Sequence, residues 1–130
     1  MQRRPVLEFL AAGLAWPLSP THAAPVAEGM AQTAPLLRAG GVVLALRHAL
    51  APGTFDPPGF RLDDCSTQRN LSDDGRAQAQ RGGQALAALG LRPARVRSSP
   101  WCRCMDSARL AFGSAEPWAA LGSPRASVEA

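Results

Sequence analysis

Gly40-Gly41-Val42-Val43-Leu44-Ala45-Leu46-Arg47-His48 sets the expectation for the whole chain. Five consecutive apolar residues, from Val42 to Leu46, lie between a glycine pair and an arginine. The run shows no alternation with polar residues. A run this short and this apolar suits a strand covered on both faces, as in a parallel sheet. It delivers Arg47 and His48 to the carboxyl end of that strand.

Working outward, Met30 to Ala39 reads as a short helix with Leu36 and Leu37 on its apolar side and Gly40-Gly41 as the stop. Ala51 to Asn70 is loop by composition, holding Pro52-Gly53, Asp56-Pro57-Pro58-Gly59 and Asp63-Asp64. Loops this long without structure of their own are uncommon and often functional. Ser72 is placed as a helix N-cap, with Asp73 and Asp74 in the first turn and Gly90 past the end. Gly82-Gly83 inside that helix costs on the order of 1 kcal/mol per glycine, which close packing on a sheet would explain. Arg95 to Ser99 is a second short strand. Ser99-Pro100 then reads as an N-cap and first helical residue, opening a helix from Pro100 to about Phe112 with Gly113 beyond. Strand, loop and helix, strand, helix make a βαβα unit with parallel strands.

The chain has 130 residues, enough for one domain. All 14 basic residues are arginine, and the net charge is +4. The arginines are scattered, and no basic run alternates with aromatics, so no nucleic-acid partner is expected. Aromatic residues make up 5% of the chain, so the expected core is Ala, Leu and Val, and of modest stability. At the N-terminus, Arg3-Arg4, an apolar stretch from Val6 to Leu18 and Thr21-His22-Ala23 form the three parts of a signal peptide. Cleavage after Ala23 is expected, with Ala24 as the alternative, giving a periplasmic or secreted protein with no stable membrane anchor. Residues 1–23 are then leader, 24–113 a partial domain and 114–130 an irregular tail. In an oxidising compartment Cys65 is expected to pair with Cys102 or Cys104, since a bridge across Cys102-x-Cys104 is strained. A metal site is the alternative, but it lacks a fourth ligand.

In an open parallel sheet, ligands bind outside the carboxyl ends of the strands. Arg47-His48 and Ser98-Ser99-Pro100-x-x-Arg103 both reach that edge. Arg47 and Arg103 offer planar forks that match phosphate oxygens. The helix opening at Pro100 adds unpaired N–H groups. Positive neighbours disfavour protonation of His48, leaving a ring nitrogen free to attack phosphorus and form a covalent intermediate. Arginines would stabilise the transition-state charge, so neither metal nor cofactor is expected.

Three segments resemble the histidine phosphatase (phosphoglycerate-mutase-like) superfamily. Leu46-Arg47-His48-Ala49 is similar to its Arg-His-Gly signature. Asn70-Leu71-Ser72-Asp73-Asp74-Gly75-Arg76-Ala77-Gln78-Ala79 resembles its Leu-Ser/Thr-x-x-Gly-x-x-Gln-Ala helix start. Val96-Arg97-Ser98-Ser99-Pro100-Trp101-Cys102-Arg103-Cys104-Met105-Asp106-Ser107-Ala108 resembles its Ser-Ser-Pro-x-x-Arg-x-x-x-Thr-Ala segment. They follow the family's order and spacing over roughly residues 36 to 113, the first half of a typical family domain. The resemblance implies an α/β fold: an incomplete three-layer α/β/α arrangement with a parallel sheet. It implies His48 as the phosphorylated nucleophile, Arg47 and Arg103 as phosphate ligands, and a small phosphorylated substrate or phosphate anion as the partner. The expected activity is phosphomonoester hydrolysis.

Two departures bear on that expectation. The family uses a second histidine from its C-terminal half and usually an acidic proton donor. This sequence has two histidines in all, one of them His22 in the leader. The alternative expectation is therefore a truncated, catalytically inactive remnant that still binds phosphate. Ala49 replaces the usual glycine and is expected to crowd the backbone beside His48. Asp63, Asp64, Asp73 and Asp74 are expected to be loop and cap charges, Cys102 and Cys104 structural, and Trp101 a packing anchor.

Overall fold

The computed structural model describes residues 24–122. Its elements run α1 (Ala24–Ala39), α2 (Asp73–Ala88), β1 (Arg97–Ser98), α3 (Cys102–Phe112) and β2 (Glu116–Pro117), with single 3-10 turns at Cys65–Thr67 and Ala119–Leu121. The chain is mixed α/β. The leader expected over residues 1–23 lies outside the described residues, and no described helix is long and apolar enough to cross a membrane.

Parallel pairing joins β1 to β2, with Arg97 opposite Glu116 and Ser98 opposite Pro117. Helix α3 makes the crossover, as a parallel connection requires. The Glu116 N–H donates to the Val96 carbonyl (2.9 Å) and the Trp118 N–H to the Ser98 carbonyl (2.7 Å). Both donors face β1, so Pro117 between them points its missing N–H away from the ladder, the position an edge strand tolerates. Arg97 lies over the Trp118 ring, 4.8 Å from its centroid. The stretch after Ser114 is thus not irregular throughout: its first residues supply the sheet's second strand.

The strand expected at Val42–Leu46 is not formed. The segment is extended but has no ladder partner, and the sheet of the described residues holds β1 and β2 alone. Val43 is 93% exposed, and Val42, Leu44 and Leu46 are exposed as well. An apolar run asks for cover on both faces, but only neighbouring strands make it a strand. The expected parallel pairing of 42–46 with 95–99 is replaced by the pairing of β1 with β2.

Helix α2 follows its sequence signals. Ser72 Oγ accepts from the Gly75 N–H (3.1 Å), Asp73 and Asp74 occupy the first turn, and Gly90 follows the helix with φ +73°. Gly83 packs against the backbone of Ala111 on α3, where a Cβ would overlap the Ala111 carbonyl; Gly82 meets nothing within 4 Å. The close approach is therefore to a helix, not to the sheet. Helix α3 starts at Cys102, two residues later than expected, and Trp101 is its N-cap without a side-chain cap bond. Its Cys102 N–H is instead capped by Gln68 Oε1 at 2.9 Å. Helix α1 begins earlier than expected and contains Pro35. Arg38 Nη1 donates to the Leu89 carbonyl (3.1 Å), tying α1 to the end of α2.

The core is small. Ala34, Ala51, Leu71, Ala79, Trp101, Cys102 and Met105 are its buried apolar residues. Val42 and Val43, expected to be covered, lie exposed in the unpaired segment. Trp101, 4% exposed, is the largest, and its ring sits 6.0 Å from that of Phe60. The disulfide joins Cys65 to Cys102, with Cα atoms 5.7 Å apart, and leaves Cys104 free. It fastens the long loop to the first turn of α3.

Candidate anion-binding site

His48 follows the unpaired apolar segment and is half-buried. Backbone contacts fix its position. The Ala49 N–H donates to Ser107 Oγ on α3 (2.9 Å), and the Leu50 N–H to Gln78 Oε1 on α2 (2.8 Å). The Leu50 carbonyl accepts from the Ser72 N–H (3.2 Å) and lies against Gly75, where any Cβ would overlap it. Ser107, Gln78 and Gly75 thus hold the backbone just after the histidine between two helices. Ala49 brings no backbone strain, since no described non-glycine residue has a positive φ.

The His48 Nδ1 lies 2.7 Å from the Ala49 carbonyl oxygen. A carbonyl only accepts, so Nδ1 carries the proton. In the neutral ring the free lone pair is then on Nε2. The pKa of His48 is lowered from its ordinary 6.5. Burial is the main cause. The carbonyl bond opposes it, and the charges of Arg103, Arg69 and Arg47 add to it in that order. The positive charges of Arg103, Arg69 and Arg47 thus all disfavour protonation of this ring, and Arg47 and Arg103 are the two singled out from sequence.

Arg103, in the first turn of α3, is gripped by Asp56. Its Nη1 lies 2.7 Å from Asp56 Oδ1, and the two side chains are only 13% and 10% exposed. The same Oδ1 accepts from the Arg69 N–H (2.9 Å), and Oδ2 accepts from Trp101 Nε1 (3.1 Å). Burial alone would raise the Asp56 pKa. The Arg69 N–H, the Arg103 fork and charge, and the Trp101 N–H overcome it and hold the carboxyl below its usual range. Asp56 is therefore an ionised acceptor, unsuited to giving up a proton. Arg69 Nη1 reaches the carbonyls of Ala51 and Gly53, while its own carbonyl accepts from Arg103 Nη1 (3.3 Å). Arg47 is exposed.

The helix N-terminus contributes less than expected, because the Cys102 N–H is already taken by Gln68. Cys104 lies beside the arginines. Burial raises its pKa, partly countered by Arg103, Ser99 and Arg69, so the thiol form prevails. Asp64 caps the 3-10 turn and pairs with Arg61, which also approaches Asp63. Asp106 pairs with Arg76 on α2 (3.0 Å). Among the described residues no group of three or more His, Cys, Asp or Glu is placed to hold a metal. Two hollows of about 380 and 330 Å³ flank Ala94 and Val96, and neither is lined by His48 or its arginines.

Asp56 and Arg69 were not among the residues singled out from sequence. Asp56-Pro57-Pro58-Gly59 reads as turn chemistry, and Arg69 stands at the end of a loop. The chain matches no protein-family model, no curated protein and no solved structure.

Proposed function

We propose that this site binds the phosphoryl group of a phosphomonoester and that His48 attacks its phosphorus, the chemistry of the histidine phosphatase superfamily. One observation carries the reading: an imidazole whose proton is fixed on Nδ1 by a carbonyl is kept from protonation by burial and by the charges of three arginines. Carboxylate or sulfate recognition would need the arginines but not a histidine held in one tautomer. In the proposed reaction the Nε2 lone pair forms a bond to phosphorus as the ester P–O bond breaks. The leaving oxygen departs with that electron pair and takes a proton from solvent. Water then attacks the phosphohistidine, releasing inorganic phosphate and restoring the ring. Arg103 and Arg47 would balance the charge on the equatorial oxygens throughout. The incomplete α/β/α architecture proposed with this family is compatible with the βαβ unit of β1, α3 and β2.

A second reading, binding without turnover, has its own support. Asp56 is the carboxylate in the cluster, and it is held ionised by its donors, so it cannot protonate a leaving group. Hydrolysis would then be confined to esters with good leaving groups. Assaying the full chain on p-nitrophenyl phosphate beside His48→Ala separates the readings. Release of nitrophenolate that disappears in the variant supports the phosphatase. Equal rates in both proteins reject it. Phosphate binding without release leaves the binding module.

A further inference from the structure

The structure points to Arg69 as a third anion ligand, which we propose acts beside Arg103 to select a doubly charged phosphoryl group. This rests on the phosphate-site reading and deepens it.

Three buried side-chain polar atoms among the described residues have no hydrogen-bond partner: Arg69 Nε, Arg103 Nε and Asn70 Oδ1. Buried donors are almost always paired, so each orphan calls for an explanation. Two of the three are the same atom on two arginines that already touch, Arg103 Nη1 donating to the Arg69 carbonyl. Two guanidinium charges held together in a partly buried cluster repel each other, and the Arg103 charge adds to burial in disfavouring the charged form of Arg69. Asp56 is the one carboxylate shared by both, bonded to the Arg69 N–H and to the Arg103 fork. With Arg47 nearby, three positive charges face one negative charge, and His48 is neutral. The surplus of two matches a phosphomonoester dianion, and its oxygens are the acceptors that the orphan N–H groups lack. Phosphodiesters and sulfate esters carry one charge and leave the surplus unmatched.

Arg69 is also built to stay in place without ligand. Its Nη1 is anchored on the Ala51 and Gly53 carbonyls, and its backbone N–H on Asp56. The disulfide partner Cys65 lies four residues before it, and Cys102 immediately precedes Arg103. The crosslink therefore holds the two arginines to one spot, so little ordering remains to be done on binding.

Calorimetry of inorganic phosphate with the full chain, Arg69→Gln and Arg69→Lys tests the assignment, each protein first melted to establish folding. Loss of a charge-assisted ligand should weaken phosphate about tenfold in Arg69→Gln. Arg69→Lys, which keeps the charge but not the fork, should fall between. Should Arg69→Gln lack a cooperative melt, Arg69→Lys decides alone: weaker phosphate binding at a near-native melting temperature supports the role. Unchanged affinity in a folded variant overturns it and leaves the phosphate site standing. No phosphate binding by the unmodified chain overturns the site itself, and the role of Arg69 with it. Dimethyl phosphate, a phosphodiester monoanion, run in parallel should bind no better in the native chain than in Arg69→Gln if the dianion is what Arg69 selects. A dimethyl phosphate loss equal to the phosphate loss overturns that selectivity.

Discussion

Asp56 Oδ1 and Arg103 Nη1, 47 residues apart in sequence, meet at 2.7 Å in a pair that is almost entirely shielded from water. Asp56 sits in the long loop and Arg103 on α3, so this contact closes the loop over the helix. Removing the acid would strand the arginine charge. Breaking one partner of a buried ion pair costs about 3 kcal/mol or more. Asp56→Ala is therefore expected to lower the urea midpoint sharply, whereas Asp63→Ala, on an exposed carboxylate, should change it little.

The helix glycines give a paired test of packing. Gly83 touches the Ala111 backbone, and Gly82 has open space where a Cβ would go. Gly82→Ala should stabilise the chain by about 0.5–1 kcal/mol, the helix-propensity gain. Gly83→Ala should destabilise it, because α3 must move away. Thermal melts of the two variants should shift in opposite directions.

Much of this arrangement was legible in the sequence, and the losses have physical causes. Ser72, the two aspartates after it and Gly90 bounded α2 because capping is local chemistry. Gly113 did the same for the end of α3. Strand formation is not local: Val42–Leu46 has the composition of a buried strand, but the described residues provide no neighbour for it. Pro117 concealed β2, since a proline argues against a strand until its register shows that the missing N–H faces outward. The disulfide was narrowed to two pairings by geometry, and the approach of the loop to the first turn of α3 selects Cys102. Arg47, His48 and Arg103 were singled out through residue type and motif. Asp56 and Arg69 were not, because a carboxylate in a proline-rich turn carries no local sign of a partner on a distant helix.

Acid should weaken the fold in two stages. The pKa of His48 is lowered in the folded chain, so the unfolded chain binds its proton first. Stability from this group is complete above 6.5 and is lost as pH falls from there through the lower folded value. Asp56 is also lowered, from 3.8, so its contribution holds above that value and disappears as pH falls further. Denaturant midpoints measured across these ranges should decline in the same order. His48→Gln should remove the first decline and leave the second. In the same titration followed by NMR, Arg103→Gln should move the His48 midpoint upward, since a repelling positive charge has gone.

Reduction should loosen the site as well as the fold. The bond between Cys65 and Cys102 closes a loop 37 residues long. Removing such a crosslink typically costs about 2–4 kcal/mol. It also frees the segment that carries Gln68 and Arg69 from the helix that carries Arg103. Cys65→Ser is expected to lower both the denaturant midpoint and phosphate affinity, while Cys104→Ser, which spares the bridge, should preserve both. Calorimetry on the two variants under non-reducing conditions checks this.

In the proposed reaction the Nε2 of His48 attacks phosphorus. The most direct measurement of that step is peptide mass spectrometry on the chain quenched under alkaline conditions during turnover of p-nitrophenyl phosphate. One phosphoryl group on the peptide containing His48, absent from His48→Ala, is the result predicted. An unlabelled His48 peptide, with nitrophenolate released equally fast by His48→Ala, would contradict it.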